Sequence, residues 1–137
     1  MSKNIRLEVV TPEKVAVSDD AQIVVAPGTL GEFGVLVGHT PFLTTLKLGI
    51  IHYKDAGGVE RYVFVSGGFA EVLPDKVTVL GETAERRRDI DLERAKLSLR
   101  RAQKRLESER GPDIDILRAE AALQRALHRV KLAEARH

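Results

Sequence analysis

The hydrophobic period of this chain changes once, near residue 86, and that change limits the folds open to it. Before it, apolar residues alternate with polar ones, the pattern of strands that bury one face. Ile5, Leu7 and Val9 alternate with Arg6, Glu8 and Val10 until Thr11-Pro12 breaks the run. Residues 22–26 read as a second short strand, ended by Pro27-Gly28. Residues 43–53 form a mixed run with Gly49 at a bulge or bend. Ala56-Gly57-Gly58 joins that run to residues 61–65 as a hairpin. Residues 69–73 follow Ser66-Gly67-Gly68, and residues 76–80 follow Pro74-Asp75. Short strands at such close intervals belong to a sandwich or a barrel.

After residue 86 the spacing becomes helical. Leu92, Ala95, Leu99, Ala102 and Leu106 fall three and four apart, as do Ile116, Ala119, Leu123, Ala126, Val130 and Ala133. Each series makes one apolar stripe. Gly111-Pro112-Asp113 stops one helix and starts the next, and so short a linker predicts an antiparallel pair. Asp89 and Asp113 are placed to cap the helices, with Asp91 and Asp115 favourable at their positive ends. Residues 89–95 and 113–119 agree at five of seven positions. That is either an internal repeat or two helix starts converging on the same capping letters.

Charge divides at the same place: residues 1–83 carry −3 and residues 84–137 carry +5, and ten of eleven glycines lie in the first part. The fold class that follows is α+β, a strand-built body and then a helical hairpin. The expected division is a body over 1–84, a linker over 85–88 and a hairpin over 89–137.

Catalysis finds no support in the residues. The chain has no Cys, which removes thiol nucleophiles, disulfides and Cys-based zinc sites. His39, His52, His128 and His137 lack partners at metal-ligand spacing, and no Ser sits in an elbow motif. Gly67-Gly68 leads into a strand, so it is no phosphate loop before a helix. Asp19-Asp20 is read as a solvent-facing pair beside a turn. The first residues lack a signal-peptide apolar stretch, and no apolar run approaches the ~20 residues of a membrane helix, so a cytosolic place is expected.

The arginines carry more information. Arg94, Arg101 and Arg105 form a row on the first helix, and Arg118, Arg125, Arg129 and Arg136 form one on the second. At about 100° per residue, each row lies roughly 120–140° from the centre of its own apolar stripe, in the same rotational sense. An antiparallel pair then brings both rows to one flank. Such a flank suits a phosphate group or an acidic partner helix; a solvated basic face with i,i+4 pairing is the plainer reading. Nucleic acid is disfavoured, because the helical part has no aromatic residue to stack on bases and ten acids among its fifteen bases. The stripes are rich in Ala, which buries little area, so the hairpin is a marginal element suited to detaching or rearranging.

Residues 31–41, GEFGVLVGHTP, resemble the GELGxxPGHxP loop of the epsilon subunit of rotary F-type ATP synthases. Residues 65–72, VSGGFAEV, resemble that family's SGGFxEV turn, and residues 90–95, IDLERA, its ATP-binding [IL]DxxRA motif. Phe33 stands where the family has Leu, and Val37 where it has Pro. The resemblance covers essentially the whole chain. It implies a flattened β-sandwich of about ten strands followed by a two-helix hairpin, in a non-catalytic rotor subunit with no required cofactor. It implies docking of the sandwich to the gamma subunit and the c-ring, with Glu32 facing the c-ring loops and His39 near gamma. It implies a hairpin that regulates hydrolysis at the alpha/beta catalytic subunits. The complex would hold the chain at the cytoplasmic face of a bacterial plasma membrane. Ile90, Asp91, Arg94 and Ala95 match the nucleotide motif, and Glu85, Arg101, Arg125 and Arg129 fall where ATP-binding members place further contacts. The alternative is a stand-alone ATP-sensing module or basic helical adaptor.

Overall fold

The computed structural model describes residues 4–108 and 116–135. The chain forms two compact units, Met1–Arg87 and Arg88–His137. The first contains nine strands among the described residues: β1 (Ile5–Val10), β2 (Val15–Gly28), β3 (Gly31–Val35), β4 (Phe42–Leu46), β5 (Gly49–Asp55), β6 (Glu60–Val65), β7 (Gly68–Val72), β8 (Lys76–Gly81) and β9 (Ala84–Arg86). The second contains α1 (Leu92–Ser108) and α2 (Ile116–Glu134), and a single 3-10 turn, Arg87–Asp89, leads into it. The α+β architecture is the one the change of period demands.

β2 organises the sandwich. Its N-terminal half pairs antiparallel with β1, from Ile5↔Ala21 to Val10↔Val15. Its C-terminal half pairs with β3 on one edge and β5 on the other. One layer therefore runs β9-β6-β5-β2-β3 and the other β2-β1-β8-β7-β4, and Gly28↔Leu46 joins the end of β2 to β4. β1 lies parallel to β8, the single parallel ladder among the described strands.

Alternation along the strands fills the space between the layers. Ile5, Leu7 and Val9 face Val63, Val65, Ile51 and Tyr53 within one cluster of buried residues, completed by Val24, Val72, Val77 and Val79. Burying each such side chain contributes roughly 1.5–3 kcal/mol relative to exposure.

Several strand expectations change. The second strand is fourteen residues long: Val17, Asp19 and Ala21 turn inward ahead of a bulge between Ala21 and Ile23, and Val24 and Ala26 turn inward after it. Asp19-Asp20 therefore lies in mid-strand: Asp20 pairs with Arg6 on the surface, while Asp19 accepts the Tyr53 hydroxyl. The mixed run over 43–53 is two strands, with Gly49 opening β5 where an added Cβ would lie 2.9 Å from the Pro27 Cβ. Residues 31–35, expected in a loop, form a strand on β2. Residues 84–86, the last of the expected body and the first two of the expected linker, form β9 against β6, so the strand-built body continues past residue 84.

The Ser66-Gly67-Gly68 turn has a steric reason. Gly68 takes φ +138°, and an added Cβ would stand 2.1 Å from the Leu80 carbonyl oxygen. The Ser66 hydroxyl accepts from the Thr83 amide (3.1 Å) and the Thr83 hydroxyl (2.7 Å), locking this turn to the one that follows β8.

In the helical unit α1 and α2 pack on each other. Ala95, Ala119, Ala126 and Val130 of the predicted stripes are buried, and Leu132, outside them, is buried as well. The cap of α1 is Asp91, whose carboxylate accepts the Arg94 amide (3.2 Å), and Asp89 lies in the preceding 3-10 turn. Gly111-Pro112-Asp113, Asp115, Arg136 and His137 lie outside the described residues.

Two outcomes follow. Gly68→Ala should lower unfolding stability by about 2 kcal/mol or more in urea titration, whereas Gly57→Ala, whose Cβ meets only the Asp55 carboxylate at 3.5 Å, should be near neutral. In the β5–β6 turn the Val59 amide, then Arg61 and the Gly57 amide, hold the Asp55 carboxyl below the usual carboxylate range. Its stabilising effect is present above the unfolded value of about 3.9 and is lost as pH falls through the lower folded value. Asp55→Asn should flatten the acid limb of stability against pH, and a carboxyl titrating at its ordinary value by NMR would contradict this.

Candidate functional site

The residues of the first motif are held by local structure. Gly31 takes φ +137° at the turn into β3 and leaves Glu32 exposed beside it, paired in register with Pro27. Phe33 packs edge-on against Phe42, with ring centroids 5.1 Å apart, and the His39 ring lies 5.3 Å from the same Phe42. His39 Nδ1 hydrogen-bonds the Thr40 carbonyl (2.7 Å), and the Gly38 amide donates to the Pro74 carbonyl (2.6 Å). The loop is thus tied to the strand body at both ends, and within it Glu32 is a carboxylate directed to solvent while His39 is half-buried.

The nucleotide-motif residues divide by role. Asp91 caps α1, Ala95 is fully buried and Ile90 is 8% exposed. These three thus carry the start of the helix. Arg94, Arg101 and Arg125 are exposed and Arg129 is half-buried. Arg101 donates to Ser98 one turn back (3.2 Å), which partly orders its guanidinium. Glu85 belongs to the other unit, on β9 opposite Phe64. Of these arginines, Arg94, Arg101 and Arg125 present their guanidinium groups at the surface. Among the described residues there is no group of three or more His, Asp or Glu side chains able to hold a metal.

One feature of the surface escaped the sequence. Leu43, Phe69 and Leu80 are 70%, 53% and 56% exposed. They sit on the outer face of neighbouring strands β4, β7 and β8, with Phe69 directly opposite Leu80. Beside them a groove of about 370 Å³ is lined by Val10, Pro12, Phe69 and Leu80 with the backbone of Gly68 and Gly81. The available signal was a break in alternation: Val79-Leu80 and Gly68-Phe69-Ala70 put apolar side chains on both faces of their strands. An exposed apolar face of this kind is the sort of surface at which proteins bind partners, membranes or ligands.

A family model described as ATP synthase, Delta/Epsilon chain, beta-sandwich domain matches residues 4–87. A second, ATP synthase, Delta/Epsilon chain, long alpha-helix domain, matches residues 88–134. The two together define a class of ATP synthase chains built from a sandwich and a helical element. The chain is 69% identical over 108 residues to the ATP synthase epsilon chain of Desulfosudis oleivorans, spanning 79% of this chain and 81% of that one. It is 66% identical over 109 residues to the epsilon chain of Desulfatibacillum aliphaticivorans, spanning 80% and 77%. Among solved structures it resembles a chain in the Euglena gracilis mitochondrial ATP synthase (OSCP/F1/c-ring), with a TM-score of 0.74 and 26% identity over 90% of this chain and 78% of that one. The chain belongs to the epsilon-chain family of F-type ATP synthases.

The role of Asp91 is separable by substitution. Asp91→Ala should cost about 1 kcal/mol of helix stability, seen as faster amide exchange in the first turn of α1. Asp91→Ser should restore most of it, since a hydroxyl also accepts from the Arg94 amide. Equal loss in both variants would mean that the carboxylate acts otherwise than as a cap.

Proposed function

We propose that this chain is a non-catalytic central-stalk subunit that couples proton translocation to ATP synthesis. The observation that carries the reading is the match of both family models, end to end, to the two units of the chain. The sandwich is the docking body. Its apolar outer face of Leu43, Phe69 and Leu80 suits burial against the gamma subunit, and the exposed Glu32 suits basic loops of the c-ring. Among the described residues no helix is long and apolar enough to cross a membrane. As part of the ATP synthase complex the chain would lie at the cytoplasmic face of the bacterial plasma membrane.

The hairpin acts as a conformational brake on hydrolysis. Its Ala-lined contact releases little apolar area when it opens, so two arrangements can lie within a few kcal/mol of each other. In the extended arrangement its arginines meet acidic surfaces of the alpha/beta catalytic subunits. In the compact one Arg94, Arg101, Arg125 and Arg129 receive the phosphates of ATP, and ATP shifts the balance only by its differential affinity for that form.

Removing residues 88–137 should raise ATP hydrolysis by the assembled complex without preventing assembly or co-purification with gamma. Unchanged hydrolysis would remove the brake from this reading, and loss of gamma would remove the docking role. Millimolar ATP should raise the thermal midpoint of the isolated chain, and Arg94→Ala should abolish the shift. A wild-type chain that shows no shift does not bind ATP.

A further inference from the structure

β9 is too short to hold itself. It contributes three residue pairs to the edge of β6, from Val63↔Arg86 to Val65↔Ala84. An isolated ladder of that length does not offset the entropy of ordering its own backbone. Its last residue supplies what the ladder lacks. Arg86, with a side chain only 16% exposed, crosses to β2, where Nε donates to the Ala16 carbonyl (2.8 Å) and Nη2 lies 3.5 Å from Asp19 Oδ2. The same carboxylate oxygen accepts the hydroxyl of Tyr53, a core residue 2% exposed, at 2.5 Å. Burial, then the bond to Asp19, pushes the Tyr53 phenol well above its ordinary range, so it stays a donor to Asp19. The next residue secures the other side: the Arg87 guanidinium lies 4.9 Å from the centre of the Tyr62 ring on β6.

We infer that Asp19 and Arg86 form a clasp that fixes the end of the sandwich and so sets the length of the tether to the helices. With the clasp closed, residues 88–91 alone separate Arg87 from the first residue of α1. With it open, residues 84–86 leave the sheet, Arg87 leaves the Tyr62 ring, and the four residues add roughly 13 Å of reach. The mid-strand aspartate, an unusual residue on an inward parity, thereby gains a reason: it is the anchor for a strand sixty-seven positions later. The clasp concerns the join between the units and stands whether or not the hairpin proves to be a brake.

Native-state hydrogen exchange on the full chain tests it. Asp19→Asn and Arg86→Ala should each speed exchange of the amides of residues 84–87 by about tenfold to a hundredfold, the range expected when a charge-assisted pair is broken. Exchange in the β1–β2 and β1–β8 ladders should stay at wild-type rates. Trypsin should cut faster at Arg87 and Arg88 in Asp19→Asn. Arg88→Ala, which removes only a surface contact of 4.0 Å to Asp89, should leave residues 84–86 protected. Wild-type exchange at residues 84–87 in both clasp variants overturns the inference, and so does acceleration spread evenly over the whole sandwich. If Arg86→Ala fails to fold, Asp19→Asn, which keeps the side-chain shape and a hydrogen-bonding oxygen, decides alone.

Discussion

The structure depends on one long strand being shared between two sheets. β2 pairs with β1 along its first half and with β3 and β5 along its second, and its last residue meets β4. A strand with those neighbours cannot slip by one residue without turning Val17, Ala21 and Val24 out of the core in every ladder at once. Register is therefore set for both layers together. The cost is that β2 must be served by different strands in turn, β1 along Val15–Ala21 and then β5, β3 and β4.

The polar residues that seem out of place in the strands belong to the same constraint. Asp19 sits on the inward parity of β2 at the rim of the core, where Tyr53 and Arg86 satisfy it. Ser66, Gly67 and Gly68 form a turn pressed against Leu80 and Thr83, which only a residue without a Cβ and with φ near +138° can enter. The family motif there is a packing requirement. The nucleotide motif is partly so: Ile90 and Ala95 are buried, Asp91 caps the helix, and the exposed arginine alone has no part in starting it.

The proposed function draws on the contrast between the units. The sandwich has a full core and one apolar outer face, the attributes of a body that is held by others. The helical unit has Ala at its contact and Arg94, Arg101 and Arg125 exposed, and the proposed exchange of contacts rests on these two features.

The amino-acid sequence alone determined the two-part α+β plan, the two helices and the family, because period, capping residues and short motifs act through near neighbours. It was silent on β3 and β9, on the break between β4 and β5, and on the place of Asp19. Each of those rests on a partner far along the chain: Val25 for Gly34, Phe64 for Glu85, Pro27 for Gly49, and Arg86 for Asp19. The outer patch was equally hidden, since Leu43, Phe69 and Leu80 are apolar like the core and only the pairing of β4, β7 and β8 brings them together on the face turned away from it. Local residues decide what each segment becomes. Long-range pairing decides which face it shows and where the first unit ends.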